Sequence, residues 1–487
     1  MTLDSVTRDF SGKDVALIIT PPVFTRMPMV GLAYLATYLK QQGCSVALLD
    51  LSVLLFNQGS DELRKLWSPE CTNACFVTEI AEKIYSAYDA QLRVFVDQVV
   101  ASDVRVVAFS VNQVSIFLAN RLAEDIKRRD RNRTIVFGGP GTYFKHPREL
   151  TTPGFVDYYV IGEGEEVLLS LVRRLKKGVP VGRERGLLLR KDFGVVMPEP
   201  APLVEDLNRL PFPTYEEFDL AAYNDGSDYK PLPLLLSRGC IKKCSYCIDH
   251  IMWPKYRVRS ARHAFNEIEY HCRVNKTKAF ELNDLLCNGN LRELEALCDL
   301  IIAAGLKFDW VSYGVIRADM TPRLCVKMKQ AGCHTIIYGM EHSSLRILKG
   351  MNKGYTSAEA EKVIRMTHAA GICTNVNVIV AFPGETMADL DEVAVFLKRN
   401  RDHISEVTNI SGFTLFPAST IGQHQWRYGI SLKENTDPML FKDANGLDRQ
   451  GRMDRVAYFS KIVDDLGLRQ NIINRPKLNP EVKEREG

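Results

Sequence analysis

The 487-residue sequence predicts an α/β protein made of a doubly wound parallel sheet, a partial (β/α)6 barrel and a small carboxyl-terminal extension. Three observations carry this prediction. Short apolar, β-rich runs alternate with helical patterns between residues 15 and 162. A stretch rich in proline and acid follows at 196–229, and the alternation then resumes for six further strands. The corresponding boundaries are 1–195 for the first domain, 196–230 for a linker, 231–420 for the barrel and 421–487 for the extension.

In the first domain, residues 15–20, 45–49, 104–110, 134–138 and 158–162 read as buried parallel strands, each followed by a turn or helix. Ligands on such sheets collect outside the carboxyl ends of the strands. Those ends carry Thr20-Pro21-Pro22, Ser110-Val111-Asn112, Gly138-Gly139-Pro140 and Gly162-Glu163-Gly164-Glu165. Glycine lets a ligand approach the backbone closely, although turn geometry accounts for each of these segments taken alone. His146, just past the Gly-Gly turn, is either a ligand contact or a surface-loop residue.

Pro198-Glu199-Pro200, Pro211-Phe212-Pro213 and Glu216-Glu217 mark the linker, because proline fixes φ and removes a donor. Beyond it, 232–236, 279–282, 310–316, 335–339, 374–381 and 409–415 read as strands. Helical patterns at 261–273, 290–304, 322–331, 357–370 and 387–400 supply the crossovers that parallel strands need. Barrel logic puts catalytic groups on the loops at the carboxyl ends of these strands. Those loops hold Glu281, Asn283 and Asp284, then Arg317 and Asp319, then Glu341 and Ser343, then Pro383-Gly384-Glu385-Thr386. After residue 416 the alternation lapses, and 423–458 is a candidate cover for the barrel mouth.

Cys240, Cys244 and Cys247 form a C-x-x-x-C-x-x-C run directly after the first barrel strand. Three thiolates suit a cubane iron-sulfur cluster, whose fourth iron stays open to another ligand. The alternative is a closed structural zinc site of Cys3His type with His250 as fourth ligand. Cys44, Cys272, Cys298, Cys325, Cys333 and Cys373 read as small core residues, and Cys71 and Cys75 fall on one helix face. A formal charge of +4 asks for neither nucleic acid nor an acidic membrane as partner, and Lys127-Arg128-Arg129 and Arg173-Arg174 read as solvated helix faces. No segment offers the ~18 uncharged apolar residues of a membrane span, and the amino terminus lacks an apolar signal core. A cytoplasmic protein without disulfides is expected.

The cysteine run resembles the signature of the radical SAM superfamily. That resemblance implies Tyr246 beside the adenine of S-adenosylmethionine (SAM), with the open iron chelating its methionine moiety. It also implies reductive cleavage of the sulfonium to a 5′-deoxyadenosyl radical, which abstracts hydrogen from an unactivated carbon. Residues 338–343 and 348–354 resemble the fourth-strand motif of the family, and 383–386 resembles its fifth-strand turn. The implied SAM contacts are Tyr246, Asn283, Arg317, Glu341, Ser343, Ile379 and Ala381. A carboxylate pairs the cationic amino group, a hydroxyl bonds ribose or carboxylate, and Arg317 meets the methionine carboxylate or forms a structural salt bridge.

The four strand ends of the first domain, in their order, are similar to the Rossmann-like domain of the cobalamin-binding branch. The implied cobalamin contacts are Thr20, Pro21, Pro22, Ser110, Val111, Gly138, Gly139, Glu163 and Gly164. The D-x-H-x-x-G motif that supplies a lower axial histidine in other cobalamin proteins is absent from this chain. The resemblance spans roughly residues 15–420 and implies a 4Fe-4S cluster, SAM and cobalamin as cofactors. The expected reaction is methylation of an unactivated carbon in a small-molecule substrate such as an antibiotic, sugar, lipid or tetrapyrrole intermediate. An electron donor such as flavodoxin or ferredoxin is the expected partner. The alternatives are radical rearrangement, cyclisation or diol dehydration without methyl transfer, and a non-catalytic cluster-bearing sensor, which requires a basic partner-facing surface.

Overall fold

Val15–Ile19 (β1) is buried at all five positions, as a strand covered on both faces must be. In the computed structural model, which describes residues 8–23, 25–68, 78–142, 154–192, 196, 199–223, 229–432 and 441–470, β1 belongs to a six-stranded sheet. The other members are Val46–Asp50 (β2), Val106–Ser110 (β3), Thr134–Gly138 (β4), Tyr158–Val160 (β5) and Leu187–Leu189 (β6), in the order β2-β1-β3-β4-β5-β6. The first five are parallel, and β6 runs antiparallel to β5 at the edge. β6 is an addition to the expected strands: three leucines in a row have no period to read. The order 2-1-3-4-5 is that of the flavodoxin-type doubly wound sheet, whose chain reverses direction between β1 and β3. Ile19 lies opposite Ser110, and Ser110 opposite Gly138, so the carboxyl ends of β1, β3 and β4 are level.

The helix Ile116–Arg129 buries Ile116, Leu118, Ala119, Leu122, Ala123 and Ile126 against this sheet's core. At its basic end Arg128 and Arg129 are exposed, as a solvated face requires, but Lys127 is not. Lys127 is buried with Nζ 2.7 Å from Asp157 Oδ2, a pairing that the negative end of the helix dipole favours.

Met1–Glu205 and Arg209–Lys230 make up one unit, and Asp206–Asn208 and Pro231–Gly487 the other. The expected linker is therefore strapped largely to the first unit. Ala201 N donates to Ile161 O at 2.8 Å, Lys40 Nζ pairs with Glu216 and Glu217 at 2.8 and 2.9 Å, and Tyr223 Oη donates to buried Asp50 at 2.7 Å. The acidic residues that mark the stretch in the sequence serve here as its anchors.

The second unit opens on Leu232–Leu234 (β7). Ser237–Arg238 (β8) and Arg257–Val258 (β9) then form an antiparallel ribbon that brackets the cysteine loop. Ala279–Leu282 (β10), Asp309–Gly314 (β11), Cys333–Glu341 (β12), Cys373–Val380 (β13) and Glu406–Gly412 (β14) follow. Ser431–Leu432 (β15) and Phe441–Lys442 (β16) pair with each other, and Arg469–Gln470 (β17) ends the series. The main sheet has the order β17-β14-β13-β12-β11-β10-β7, parallel throughout and open between β17 and β7.

The crossover helices are Ala261–Val274, Leu291–Ala304, Pro322–Gln330, Ser357–Ala369 and Met387–Arg399. Their starts are chemically marked. Thr321 caps a helix with proline in its first turn, and Thr356 with Glu359 and Thr386 with Asp389 make reciprocal capping boxes. On β13, Val376, Val378 and Val380 are fully buried, whereas Asn377 and Ile379 on the other face are partly open.

The extension matches the expected mouth cover in part: Tyr428, Ile430 and Phe441 pack with Phe382 and Phe413 on the cluster that also takes Tyr246 and Ile379, but the rest lies elsewhere. Its helix Arg449–Asp465 packs along β13, β14 and the helix Met387–Arg399, and β17 adds a seventh strand beside β14. A strand of two residues leaves no alternation in the sequence, which is why residues after 416 read as irregular.

Candidate active site

Asp284, just past β10, fixes the start of the cysteine loop. Its carboxylate accepts from Leu236 N at 2.8 Å and from Ser237 Oγ, and burial pushes this carboxyl up to about 7 despite those donors. Gly239 then turns the chain at φ +88°, where a Cβ would stand 2.5 Å from Lys255 O across the ribbon. The far side of the loop is pinned to the segment after β12. Ser245 N and Oγ donate to Met351 O at 2.9 Å and Gly350 O at 2.7 Å, and Asn352 Nδ2 donates to Lys243 O at 2.7 Å.

Cys244 is buried, and Cys240 and Cys247 are half-buried. Burial, followed by the neighbouring Asp249, pushes the Cys247 thiol up to about 12; burial also raises that of Cys240. Such thiols ionise when a cation supplies the compensating charge. Among the described residues no three His, Cys, Asp or Glu side chains converge on a single ion. A cubane takes each thiolate on a different iron, and three thiols on one loop are a donor set that fits it.

The end of β12 is bulged. Its register against β13 shifts between Tyr338 and Glu341, and Glu341 has φ +63°. Glu341 Oε1 lies 3.6 Å from Lys353 Nζ, which is itself 3.4 Å from Tyr246 Oη. Burial raises the Glu341 carboxyl, and Lys353 opposes that shift. Tyr246 and Ile379 pack on one apolar cluster with Phe382 and Phe413, so the aromatic of the cysteine loop meets the end of β13. Ala381, next in line, has φ +59° and donates its N–H to Glu385 Oε1 at 2.8 Å. Ser343 Oγ and Asn377 Oδ1 are buried without a hydrogen-bond partner. An orphaned polar atom costs about 1–3 kcal/mol, so both atoms suit a polar ligand.

The structure thus brings Tyr246, Glu341 and Ile379 together, with Ser343 and Ala381 adjoining them in the chain. Asn283 is exposed beyond β10. Arg317 takes the salt-bridge alternative: its Nε and Nη2 grip Asp319 at 2.8 and 2.6 Å, and Nη1 donates to Asn288 O and Gly289 O at 2.8 and 2.7 Å. The guanidinium is a loop brace with no free fork for a ligand carboxylate, and its partner is two residues away. Lys353, Asn377 and Glu385 join this region although the sequence assigns none of them as a SAM contact. Lys353 and Glu385 lie inside the segments that carry the resemblance, but their burial is visible only in the fold.

In the first unit, the edge at β1, β3 and β4 is built of backbone and glycine. Thr20 Oγ1 donates to Ser115 O at 3.3 Å, Ser110 Oγ to Met29 Sδ at 3.3 Å, and Glu163 Oε2 accepts from Val204 N at 2.6 Å. These side chains are bonded within the protein. Val111 N donates to Gly138 O at 2.8 Å, and at Gly139, φ +97°, a Cβ would stand 2.8 Å from Val111 O. Pro21 and Pro22 are joined by a cis peptide beside this edge, and Gly164 precedes the helix Glu165–Lys176. Glycine here lets the loops after β3 and β4 close against each other at the switch point, where such sheets bind ligands. His146, Cys71 and Cys75 lie outside the described residues.

A parallel-sheet unit with a three-thiol loop after its first strand, preceded by a doubly wound sheet, defines a class. Residues 234–397 match the model of the radical SAM superfamily, and residues 78–172 match that of the B12 binding domain. The chain thus carries a radical SAM domain preceded by a B12 binding domain.

The chain is 25% identical over 331 residues to the uncharacterized methyltransferase PH0819 of Pyrococcus horikoshii, covering 68% of this chain and 70% of that one. It is 26% identical over 321 residues to the anaerobic magnesium-protoporphyrin IX monomethyl ester cyclase of Synechocystis sp., covering 64% of this chain and 60% of that one. Its fold is similar to that of the radical S-adenosylmethionine methyltransferase TsrM from Kitasatospora setae, solved with cobalamin and a 4Fe-4S cluster bound. The TM-score is 0.68 at 17% identity, over 95% of this chain and 91% of that one. Among the described residues no helix is long and apolar enough to cross a membrane.

Proposed function

We propose that this chain methylates an unactivated carbon of a small molecule, using a 4Fe-4S cluster, SAM and cobalamin. The observation that carries this reading is the combination in one chain of the three-thiol loop after β7 with a sheet that matches a B12 binding domain. Together the bound cofactors supply a 5′-deoxyadenosyl radical and a transferable methyl group.

Cys240, Cys244 and Cys247 hold the cluster on a loop braced by Asp284 and Ser245. Tyr246, Ile379 and Ala381 cover the adenine, with the cluster of Phe382 and Phe413 keeping water from that side. Glu341 and Ser343 orient the polar end of SAM, the first as a carboxylate steadied by Lys353, the second as a free hydroxyl. The glycine-lined edge at β1, β3 and β4 cradles cobalamin through Pro21, Pro22, Val111, Gly138, Gly139 and Gly164. A flavodoxin or ferredoxin supplies the electron.

The relative from Synechocystis is named a cyclase, which favours radical cyclisation as the second reading. The test is product analysis of the anaerobically reconstituted chain with reductant, cobalamin, SAM and candidate small molecules. Substrate-dependent S-adenosylhomocysteine together with 5′-deoxyadenosine is the expected result. Formation of 5′-deoxyadenosine alone would replace methylation with cyclisation or rearrangement.

A further inference from the structure

A carboxylate buried beneath the turn after β13 gathers donors from three parts of the second unit. Glu385 Oε1 accepts from Ala381 N at 2.8 Å and lies 2.8 Å from Arg455 Nη1. Its Oε2 accepts from Phe382 N at 3.4 Å and stands 3.4 Å from His342 Nε2, a contact of ion-pair length rather than a formed hydrogen bond. The Glu385 carbonyl also accepts from Arg455 Nη1 at 2.9 Å and from Asn445 Nδ2 at 3.2 Å. Glu385 and His342 are fully buried. His342 Nδ1 accepts from Ser344 N at 2.9 Å, which leaves Nε2 to carry the ring proton toward the carboxylate.

The neighbours of these groups give the contacts a consequence. His342 lies between Glu341 and Ser343 at the end of β12. Ala381, held left-handed at φ +59°, owes its N–H bond to Glu385. Arg455 arrives from the helix Arg449–Asp465, 70 residues after Glu385 and beyond the segment 234–397 that matches the superfamily. Among the described residues, the guanidinium on this carboxylate thus comes from the carboxyl-terminal extension.

We propose that Arg455 is a positioning residue of the SAM site: through Glu385 it holds the ends of β12 and β13 in their bound arrangement, so that SAM affinity depends on the carboxyl-terminal helix. This rests on the reading of those strand ends as the SAM site. Without the guanidinium the carboxylate stays buried with the N–H groups of Ala381 and Phe382 as its hydrogen-bond donors among the described residues, and the turn that carries Ala381 loses its tie to the carboxyl-terminal helix. Arg455 itself reaches SAM only through Glu385, so the loss falls on binding. KM for SAM rises while kcat at saturation holds.

The test is equilibrium binding of SAM to the anaerobically reconstituted full chain, wild type against Arg455→Met, with iron content and retained cobalamin measured on the same samples. The expected result is a Kd for SAM raised about tenfold or more, the effect of a lost interaction of roughly 1.4 kcal/mol, with iron and cobalamin as in wild type. KM for SAM should rise by the same factor. A folded, fully loaded Arg455→Met with wild-type SAM affinity would overturn the inference. If that variant does not fold, Arg455→Gln, which keeps a donor at the site, takes its place with the same two readings. A wild-type chain that carries its cluster yet does not bind SAM would instead refute the site reading beneath the inference, so the two failures are distinct.

Discussion

Cys244→Ala, reconstituted anaerobically with iron and sulfide, will lose nearly all SAM cleavage. A cubane held by two protein thiolates instead of three is labile, and a drop of roughly a hundredfold or more in 5′-deoxyadenosine formation is expected, together with depleted iron. Cys244 makes the sharpest test of the three because it is the buried one, set between Lys243, whose carbonyl accepts from Asn352, and Ser245, which bonds Gly350 and Met351. Those bonds survive the substitution, so the loop keeps its path while losing a ligand. Far-ultraviolet circular dichroism of the apo chain should match wild type. Wild-type iron content and turnover in this variant would remove Cys244 from the cluster.

Glu341→Ala will destabilise the second unit by about 3–5 kcal/mol, the cost of removing one partner from a buried ion pair. Lys353 is 5% exposed, and its ammonium would be left facing the Tyr246 ring, 6.0 Å from the centroid, and the Tyr246 hydroxyl. Denaturant unfolding followed by circular dichroism measures the loss. The double variant Glu341→Gln with Lys353→Met should recover most of it, because neither side then carries a buried charge. SAM affinity should stay low in both, which separates the carboxylate's role toward the ligand from its role toward Lys353. Full stability in Glu341→Ala would mean that the pair is not a buried one in solution.

These residues also mark how far the sequence could be read. Most strands of four residues or more show as apolar runs, because burial on both faces of a parallel strand demands them; β14, with Glu406, Thr408 and Asn409 in it, does not, and the apolar residues that mark it in the sequence lie three positions further on, at 409–415. β6 and β17, of three and two residues, are too short for any period to register. Tyr246, Glu341 and Ile379 are read from the resemblance of the cysteine run and of the fourth- and fifth-strand segments to the radical SAM motifs, and the fold places the three side by side. Arg317 carries the right chemistry at the right end, but Asp319, two residues on, takes up its fork, and that competition is settled only by rotamers. Arg455 has no local signal. Its partner is 70 residues away, and the helix between reads as part of an irregular tail until β17 gives it a sheet to pack on. Long-range pairing of this kind leaves its trace in the fold rather than in spacing.

The most direct single measurement is low-temperature electron paramagnetic resonance of the reduced, anaerobically loaded chain with and without SAM. A reduced 4Fe-4S signal whose g values move when SAM is added is predicted, since SAM then occupies the iron that Cys240, Cys244 and Cys247 leave open. A chain that forms no such cluster, or one whose signal is indifferent to SAM, would contradict the account.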